Sequence, residues 1–435
     1  MTGAELGPNL WQQAWYPVAF LRDLEQDRPH RFVLLGEPLV LWFESSSQQW
    51  RAFADRCPHR LVPLSEGRLS ESGELECPYH GWRFNGAGAC TTIPQGGEAI
   101  PAGARCRSYA TATAQDLLFV YSGDSAEADP SRLPLVPLLE EPGWLVQDTF
   151  RDLPYDAVTL MENVLDVSHV PFTHHGTVGK RSNAGPVELE LLEEGPEGFT
   201  GIWQEGPRQG KLGTQHTRFI APGLMWHDLT AKGFARILTV VYATPMQPGY
   251  CRLFARFPFQ FEQPLAARLL GLRPQWLQHL GNHRVLEDDQ IFLHHQEREL
   301  ERSGGSGEYI RACVMPTAAD RYVVALRRWI NRFGGEPFPN AALPPLLDDT
   351  TLLERYESHT RHCRSCRTAL SRIEWFQGNA PLLLGGVTVL MVLVPGLAFK
   401  IGAGLVLVAL LLLLRQCKRW HLALHQGERH PPRNA

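Results

Sequence analysis

The chain has 435 residues, 44% hydrophobic and 20% charged, with a formal net charge of -4. This is the composition of a globular enzyme of two or three domains, and the near-balanced charge excludes a nucleic-acid footprint and a disordered polyelectrolyte. A mean hydropathy of -0.20 excludes a polytopic membrane protein while leaving room for one local apolar segment.

The opening stretch, MTGAELGPNLWQQAWYPVAF, has no basic leader, no apolar core and no Arg/Ser-rich character. It predicts neither a secretory signal nor a transit peptide. Residues 12–125 follow as short β-type runs (RFVLLG, LVLWFE, WRAFA, LLFVYSG) separated by Gly, Pro and Ser, which predicts a small all-β domain. Inside it stand Cys57-Pro58-His59 and Cys77-Pro78-Tyr79-His80, with 17 residues between the two groups. Two Cys and two His on two loops fit a tetrahedral zinc ion. They also fit a [2Fe–2S] cluster with two thiolates on one iron and two imidazoles on the other. The half-motifs RCPHR and ECPYHGWRF are near copies, each with Pro beside its ligands, and Gly81 permits close backbone approach behind His80. Their setting is β-hairpin rather than the helix of a zinc finger. These details favour the cluster.

An acidic, Pro-rich stretch from Asp124 to Pro142 reads as a linker. Residues 145–345 mix consecutive strand-like segments (GFTGIWQEG, QHTRFIAPGLMWHDLTA, RILTVVYATPM, CRLFARFPFQF) with helical ones near Thr159–Val167, Ala266–Leu293 and Asp320–Arg332. That order predicts an α+β domain on an antiparallel sheet. In MENVLDVSHVPFTHHGT, Asn163, Asp166 and His169 recur every third residue, along one face of a helix. His169 and His174 are five apart, with Pro171 expected to break the helix between them so that both imidazoles reach one point. Two His and one carboxylate leave open positions on iron, the facial arrangement of non-haem Fe(II) oxygenases. The carboxylate comes from elsewhere, and LEDDQIFLHHQE offers Asp288 and Asp289. The aromatics between Phe219 and His227 read equally as sheet core or substrate wall. ALRRWINRFGG reads as a solvated amphipathic helix.

Cys363-Arg364-Ser365-Cys366 lies in a basic segment, 351–374, predicted to be helical. Its cysteines are helix neighbours, flanked by arginines that favour thiolates, and so form a candidate redox pair. Zinc would need His359 and His362 as well, and these share one helix with the cysteines in a poor geometry. Cys90, Cys106, Cys251, Cys313 and Cys417 show no pairing pattern. Pro381 to Leu414 then carries one charge, Lys400, in 34 residues. This is enough for one or two membrane helices within 375–414, as Trp375 to Val394 and Leu397 to Leu414 around a Pro395-Gly396 turn. Basic residues flank both ends (Arg361, Arg364, Arg367, Arg372; Arg415, Lys418, Arg419, the last three opening a basic tail, 415–435), which favours a hairpin with both ends on the cytoplasmic side.

The CPHR and CPYHGW groups resemble the Rieske signature. Together with NVLDVSHVPFTHHGT, the CxxC and the apolar tail, the chain looks like a Rieske-type non-haem iron oxygenase of the pheophorbide a oxygenase group. The resemblance covers roughly residues 12–345. It implies a Rieske domain, a helix-grip catalytic domain and a C-terminal transmembrane hairpin. It implies a [2Fe–2S] cluster on Cys57, His59, Cys77 and His80, and mononuclear Fe(II) on His169, His174 and a third ligand. Asp289, seven residues before Gln296, is preferred there to Asp288. Asp166 would bridge a neighbouring subunit's Rieske histidine, expected as His80, to His169 within a homotrimer, with Asn163 beside it. The resemblance further implies a chlorin substrate and oxygenolytic ring opening, with side-chain oxidation of a chlorophyllide as the alternative. No GxGxxG fingerprint appears, so a ferredoxin or separate reductase is the expected electron donor. The expected location is a thylakoid or plasma membrane, with the soluble domains on the cytoplasmic or stromal side, in a cyanobacterium. A membrane-bound Rieske electron carrier and a redox sensor are the rival classes.

Overall fold

The computed structural model describes residues 9–96, 99–208, 210–231 and 234–428. The chain forms two compact units, Met1–Leu272 with Phe292–Leu346, and Arg273–Ile291 with Leu347–Ala435.

In the first unit, the strands His30–Leu34, Glu37–Glu44, Gln49–Ala54 and Ser108–Tyr109 form an antiparallel sheet in that order. Leu35 (φ 50°) and Gly36 (φ 81°) close the first hairpin, the two left-handed positions that a twist-matched two-residue turn requires. Leu39 to Phe43 is buried at every residue, so this strand reads as a continuous apolar run rather than an alternating one. A second sheet orders Trp15–Phe20, Leu117–Tyr121 and Thr111–Ala114. A third is built from the short strands Arg68–Leu69, Leu75–Glu76, Arg83–Phe84 and Cys90–Thr92. Between these sheets Val40, Trp42, Phe53, Leu64, Leu75 and Phe84 form one core, and Cys57 and Cys77 belong to it. Cys90 and Cys106 are free thiols in the same core.

The catalytic part is a seven-stranded antiparallel sheet in the order Leu145–Leu153, Tyr250–Phe261, Phe234–Gln247, Leu224–Ala231, Leu212–Ile220, Gly198–Trp203 and Leu189–Gly195. Every neighbour pair but the first is consecutive in sequence, which is the α+β order predicted. The segment read as QHTRFIAPGLMWHDLTA is two strands separated at Ala221-Pro222-Gly223. The nine helices described are α1 (Ala157–Leu165), α2 (Val170–Thr173), α3 (Pro264–Gly271), α4 (Gln275–Arg302), α5 (Tyr309–Ala312), α6 (Arg321–Trp329), α7 (Asp349–Leu352), α8 (Arg364–Leu393) and α9 (Leu397–His425). The single helix expected over Ala266–Leu293 is two. Pro274 disfavours helical backbone at Arg273, and its carbonyl accepts the first amide of α4, from Leu277 at 3.0 Å.

One ion pair and an arginine bond hold the Rieske part against the catalytic sheet. Arg22 donates to Asp148 at 2.9 Å, and Arg256, which pairs with the same Asp148 inside the sheet at 2.9 Å, donates to the Gln115 carbonyl at 2.7 Å. The tip of the first hairpin also docks there, with Leu35 and Gly36 donating to Pro245 and Met246 at 3.0 and 2.6 Å. One expectation is corrected here. ALRRWINRFGG is not a solvated helix: Ala325, Leu326, Arg327, Trp329 and Ile330 are buried, and only one face, with Arg328, meets solvent. Its arginine content hid this, because Arg327 is neutralised inside by Glu162.

In the second unit, the first part of α4 packs with α7, the turn Tyr356–Thr360, and α8 and α9. Trp276 meets Trp420 edge to face at 5.1 Å, and Arg355 donates to Glu287 at 2.7 and 2.6 Å and to the Ala423 carbonyl at 2.7 Å. α8 and α9 pack on each other and turn at Pro395-Gly396, as the sequence predicts. Both are long and apolar enough to cross a membrane. They extend past the expected spans into polar ends, starting at Arg364 and finishing at His425. Their leucines point outward: Leu382 is 76% exposed and Leu397 77%. The end of the predicted tail, 429–435, lies outside the described residues.

Candidate active site and metal centres

The two Cys/His loops of the Rieske part have matching backbone. In the first, the Leu61 amide donates to the Cys57 carbonyl at 2.8 Å and the Cys57 amide to Val62 at 2.9 Å. In the second, Gly81 donates to Cys77 at 3.1 Å and Cys77 to Trp82 at 2.8 Å. Each loop closes on a left-handed residue, Leu61 at φ 60° and Gly81 at φ 73°. The repeat visible in RCPHR and CPYHGW is therefore a structural repeat, and the one-residue difference between CxH and CxxH sits inside loops of equal length. The rings of His59 and His80 are 4.6 Å apart, and Trp82 stacks on His59 at 4.6 Å. Both histidines have a buried Nδ1 with no hydrogen-bond partner among the described residues. Burial, with Cys77 alongside, pushes the Cys57 thiol up to about 12. Two buried thiols and two imidazole nitrogens outside any described hydrogen bond fit the donor set of a Rieske cluster, which would take the thiols as thiolates.

The second group of predicted residues surrounds the end of α1. The helix stops at Leu165, with Asp166 as its extended C-cap. Asn163, Asp166 and His169 therefore do not share one helical face. His169 and His174 flank α2 as its two caps, and Pro171 opens that short helix instead of breaking one. The outcome for the imidazoles is the one expected: His169 Nε2 lies 3.2 Å from His174 Nε2. His169 Nδ1 is bonded to the backbone carbonyl of Asp166. A carbonyl only accepts, so Nδ1 carries the proton and Nε2 presents a lone pair toward His174. At that distance a cation between the two rings would be held by the Nε2 lone pair of each. The Asp166 carboxylate points elsewhere and accepts from the Ser168 amide at 2.8 Å and its hydroxyl at 2.6 Å. The loop after α2 turns back so tightly that a Cβ on Gly179 would sit 2.3 Å from the Val170 carbonyl. Asp288 and Asp289 are both buried on α4, in the second unit.

Two supporting residues escaped sequence reasoning. Glu162, buried in α1, accepts from Arg327 at 2.9 Å, Tyr309 at 2.6 Å and Gln296 at 2.9 Å. It thereby ties α1 to α6, α5 and the later part of α4. His227, on a sheet strand, donates from Nε2 to the Val164 carbonyl at 3.0 Å and accepts at Nδ1 from Thr217 at 2.8 Å. Burial lowers His227 to about 4, so it stays neutral in this role. Of the Phe219–His227 segment, Phe219 and Met225 are core and His227 is a strut under α1. The signal for Glu162 was a charged residue within an otherwise apolar stretch of helix.

The Cys363–Cys366 pair does not lie on one helix: Cys363 is the N-cap of α8 and Cys366 sits in its first turn. The Cys363 thiol is held well below the usual thiol range by Cys366 and then by His359 and His279, not by the flanking arginines.

A family model described as Rieske [2Fe-2S] domain matches residues 14–110, and one described as pheophorbide a oxygenase matches residues 219–306. Pheophorbide a oxygenase of Arabidopsis thaliana is 35% identical over 97% of this chain and 82% of its own length. Flavonoid 8-hydroxylase 2 of Ocimum basilicum is 31% identical over 83% of this chain and 74% of its own. The crystal structure of dicamba monooxygenase bound to a chlorinated salicylic acid superposes with a TM-score of 0.61 at 23% identity. It covers 74% of this chain and 97% of that one, a likeness of fold. This chain is a Rieske-type non-haem iron oxygenase, with a [2Fe–2S] cluster and a mononuclear iron as its cofactors, and it belongs to the pheophorbide a oxygenase family.

Proposed function

We propose that this chain uses dioxygen, with electrons from a ferredoxin or reductase, to oxygenate a chlorin of the pheophorbide a type and open its ring. The observation behind this reading is the 35% identity over 97% of the chain. The iron supplies dioxygen binding and activation, and the cluster supplies electrons one at a time. Cys57, His59, Cys77 and His80 would hold the cluster, and His169 and His174 the iron.

Asp289 is our third iron ligand. Gln296 lies two helical turns further along the same face of α4, and that face reaches α1 through the bond from Gln296 to Glu162. Asp166 has two separable duties in this scheme. Its carbonyl fixes the His169 tautomer, and its carboxylate bridges to the His80 of a neighbouring subunit in a homotrimer, with Asn163 at the same helix end. Exposed apolar residues at Leu61, Tyr79 and Phe172, beside the cluster and iron histidines, support burial of these loops at a subunit contact. The outward leucines of α8 and α9 support membrane anchoring, with both basic flanks on the cytoplasmic or stromal side. Carbonate extraction that released the protein from membranes would refute the anchor.

The relative that hydroxylates a flavonoid supplies the competing substrate class. The test is anaerobic incubation of the full-length protein with reduced ferredoxin and pheophorbide a, a chlorophyllide or a flavone, followed by air and mass analysis. Oxygen gain in pheophorbide a alone supports ring opening. Gain in the chlorophyllide alone indicates side-chain oxidation. Gain in the flavone alone overturns the chlorin assignment.

A further inference from the structure

Four donor atoms outside the iron and cluster sites converge in the second unit. His279 stands on the second turn of α4. The other three, His359, Cys363 and Cys366, come 80 to 87 residues later. His359 lies in the turn Tyr356–Thr360, ahead of the helix that carries the cysteines. His279 Nδ1 is 3.0 Å from His359 Nε2, 3.3 Å from Cys366 Sγ and 3.5 Å from Cys363 Sγ, and His359 Nε2 is 3.3 Å from Cys366 Sγ. All four side chains are at most 1% exposed.

These spacings are those of a tetrahedron around one ion. With metal–nitrogen bonds of about 2.0 Å and metal–sulfur bonds of about 2.3 Å, tetrahedral edges are about 3.3 Å between nitrogens and about 3.5 Å between nitrogen and sulfur. The observed edges are within a few tenths of an ångström of these, and all four atoms lie within 4.8 Å of one another. Hydrogen bonding alone satisfies this arrangement poorly. His279 Nδ1 faces one nitrogen and two sulfurs, but an imidazole nitrogen either holds one proton or offers one lone pair. A single cation satisfies all four donors at once.

The surroundings hold the donors in place. The Cys363 amide donates to the His359 carbonyl at 3.0 Å, closing the turn that brings those two ligands together. The His283 ring, one turn along α4 from His279, packs on His359 at 4.4 Å. The buried Glu287–Arg355 pair clamps the same two segments two turns further along α4. Two sulfur and two nitrogen donors in tetrahedral geometry fit zinc or an iron–sulfur centre, and their convergence on one point fits a single zinc ion rather than a cluster.

We propose that His279, His359, Cys363 and Cys366 form a structural Zn(II) site that staples α4 to the root of the apolar helix pair. Binding takes both cysteines as thiolates and releases any proton the four donors still hold. The CxxC is then a ligand pair and is closed to disulfide exchange while the metal is present.

The test is zinc and iron analysis of the full-length, detergent-solubilised protein, purified without chelators or metal-affinity resin. Wild type should carry about one zinc per chain beside its iron. The double substitution Cys363→Ser/Cys366→Ser should lower zinc by about tenfold or more while cluster absorbance persists, and Cys313→Ser should leave it unchanged. If the double variant does not fold, growth of wild type on cobalt decides. Tetrahedral visible bands with thiolate-to-cobalt charge transfer support the site. Zinc-free wild type with no such cobalt spectrum, or a native Cys363–Cys366 disulfide, would overturn it.

Discussion

This chain contains two constellations of two cysteines and two histidines, and they are assembled in opposite ways. The Rieske set comes from two neighbouring loops with the same backbone, each giving one Cys and one His. The zinc set comes from a helix, a turn and a helix cap, with one ligand 80 residues upstream of the next. Matched loops hand their ligands over in pairs, which suits a two-iron cluster. Convergence of four donors on one point suits a single ion. The difference also separates function from architecture: one set would serve electron transfer, and the other would tie the first part of α4 to the base of α8.

The largest effect expected on this comparison is total. Cys57→Ser should remove the cluster's visible absorption and all oxygen uptake, yet leave zinc content unchanged. Loss of zinc as well would mean that the two centres fold as one. His169→Ala should also abolish turnover while the cluster spectrum survives, with iron per chain falling from about three to about two. Asp166→Ala should stop turnover with both iron and spectrum intact, because the carbonyl that holds His169 remains after the carboxylate is gone. If this variant loses the mononuclear iron, the carboxylate is an orienting group and the bridge assignment falls.

Effects on stability should be smaller. Glu162→Gln leaves Arg327 buried and unpaired, at a cost of about 3–5 kcal/mol, readable as a lower thermal midpoint of the soluble part. The most gradual effect is a pH slope, spread over several pH units. Burial and the nearby Glu297 push Asp156 up to about 8. Between the ordinary carboxylate range and pH 8 the native chain keeps a proton that the unfolded chain has lost. This group therefore lowers stability as pH rises across that window, by up to about 1.4 kcal/mol per pH unit, and adds no further slope above it. Asp156→Asn should flatten that part of a melting-temperature profile.

The contrast between the two metal sets also explains what the sequence could and could not reveal. That the loops carrying Cys57, His59, Cys77 and His80 repeat each other and meet was legible because their spacing is local and repeated. The pairing of His169 with His174 was legible for the same reason, although Pro171 starts α2 and Asp166 ends α1, so the single-face picture was wrong. The two apolar helices were legible from composition. His279 was not, because nothing in a helix sequence marks which distant turn it will meet, and the zinc reading lapsed on His359 and His362 sharing one helix with the cysteines. In the structure His362 is not among the converging donors, and His359 sits in a separate turn. Glu162 and Arg327 belong to the same class: each looks like a surface charge until tertiary packing buries the pair.

The most direct test of the oxygenase account is a single turnover with isotopically labelled dioxygen. Protein with a pre-reduced cluster and bound pheophorbide a should yield a product whose added oxygen carries the label, with the cluster oxidised in step, and His169→Ala should give neither. An unlabelled product, or cluster oxidation without substrate change, would contradict it.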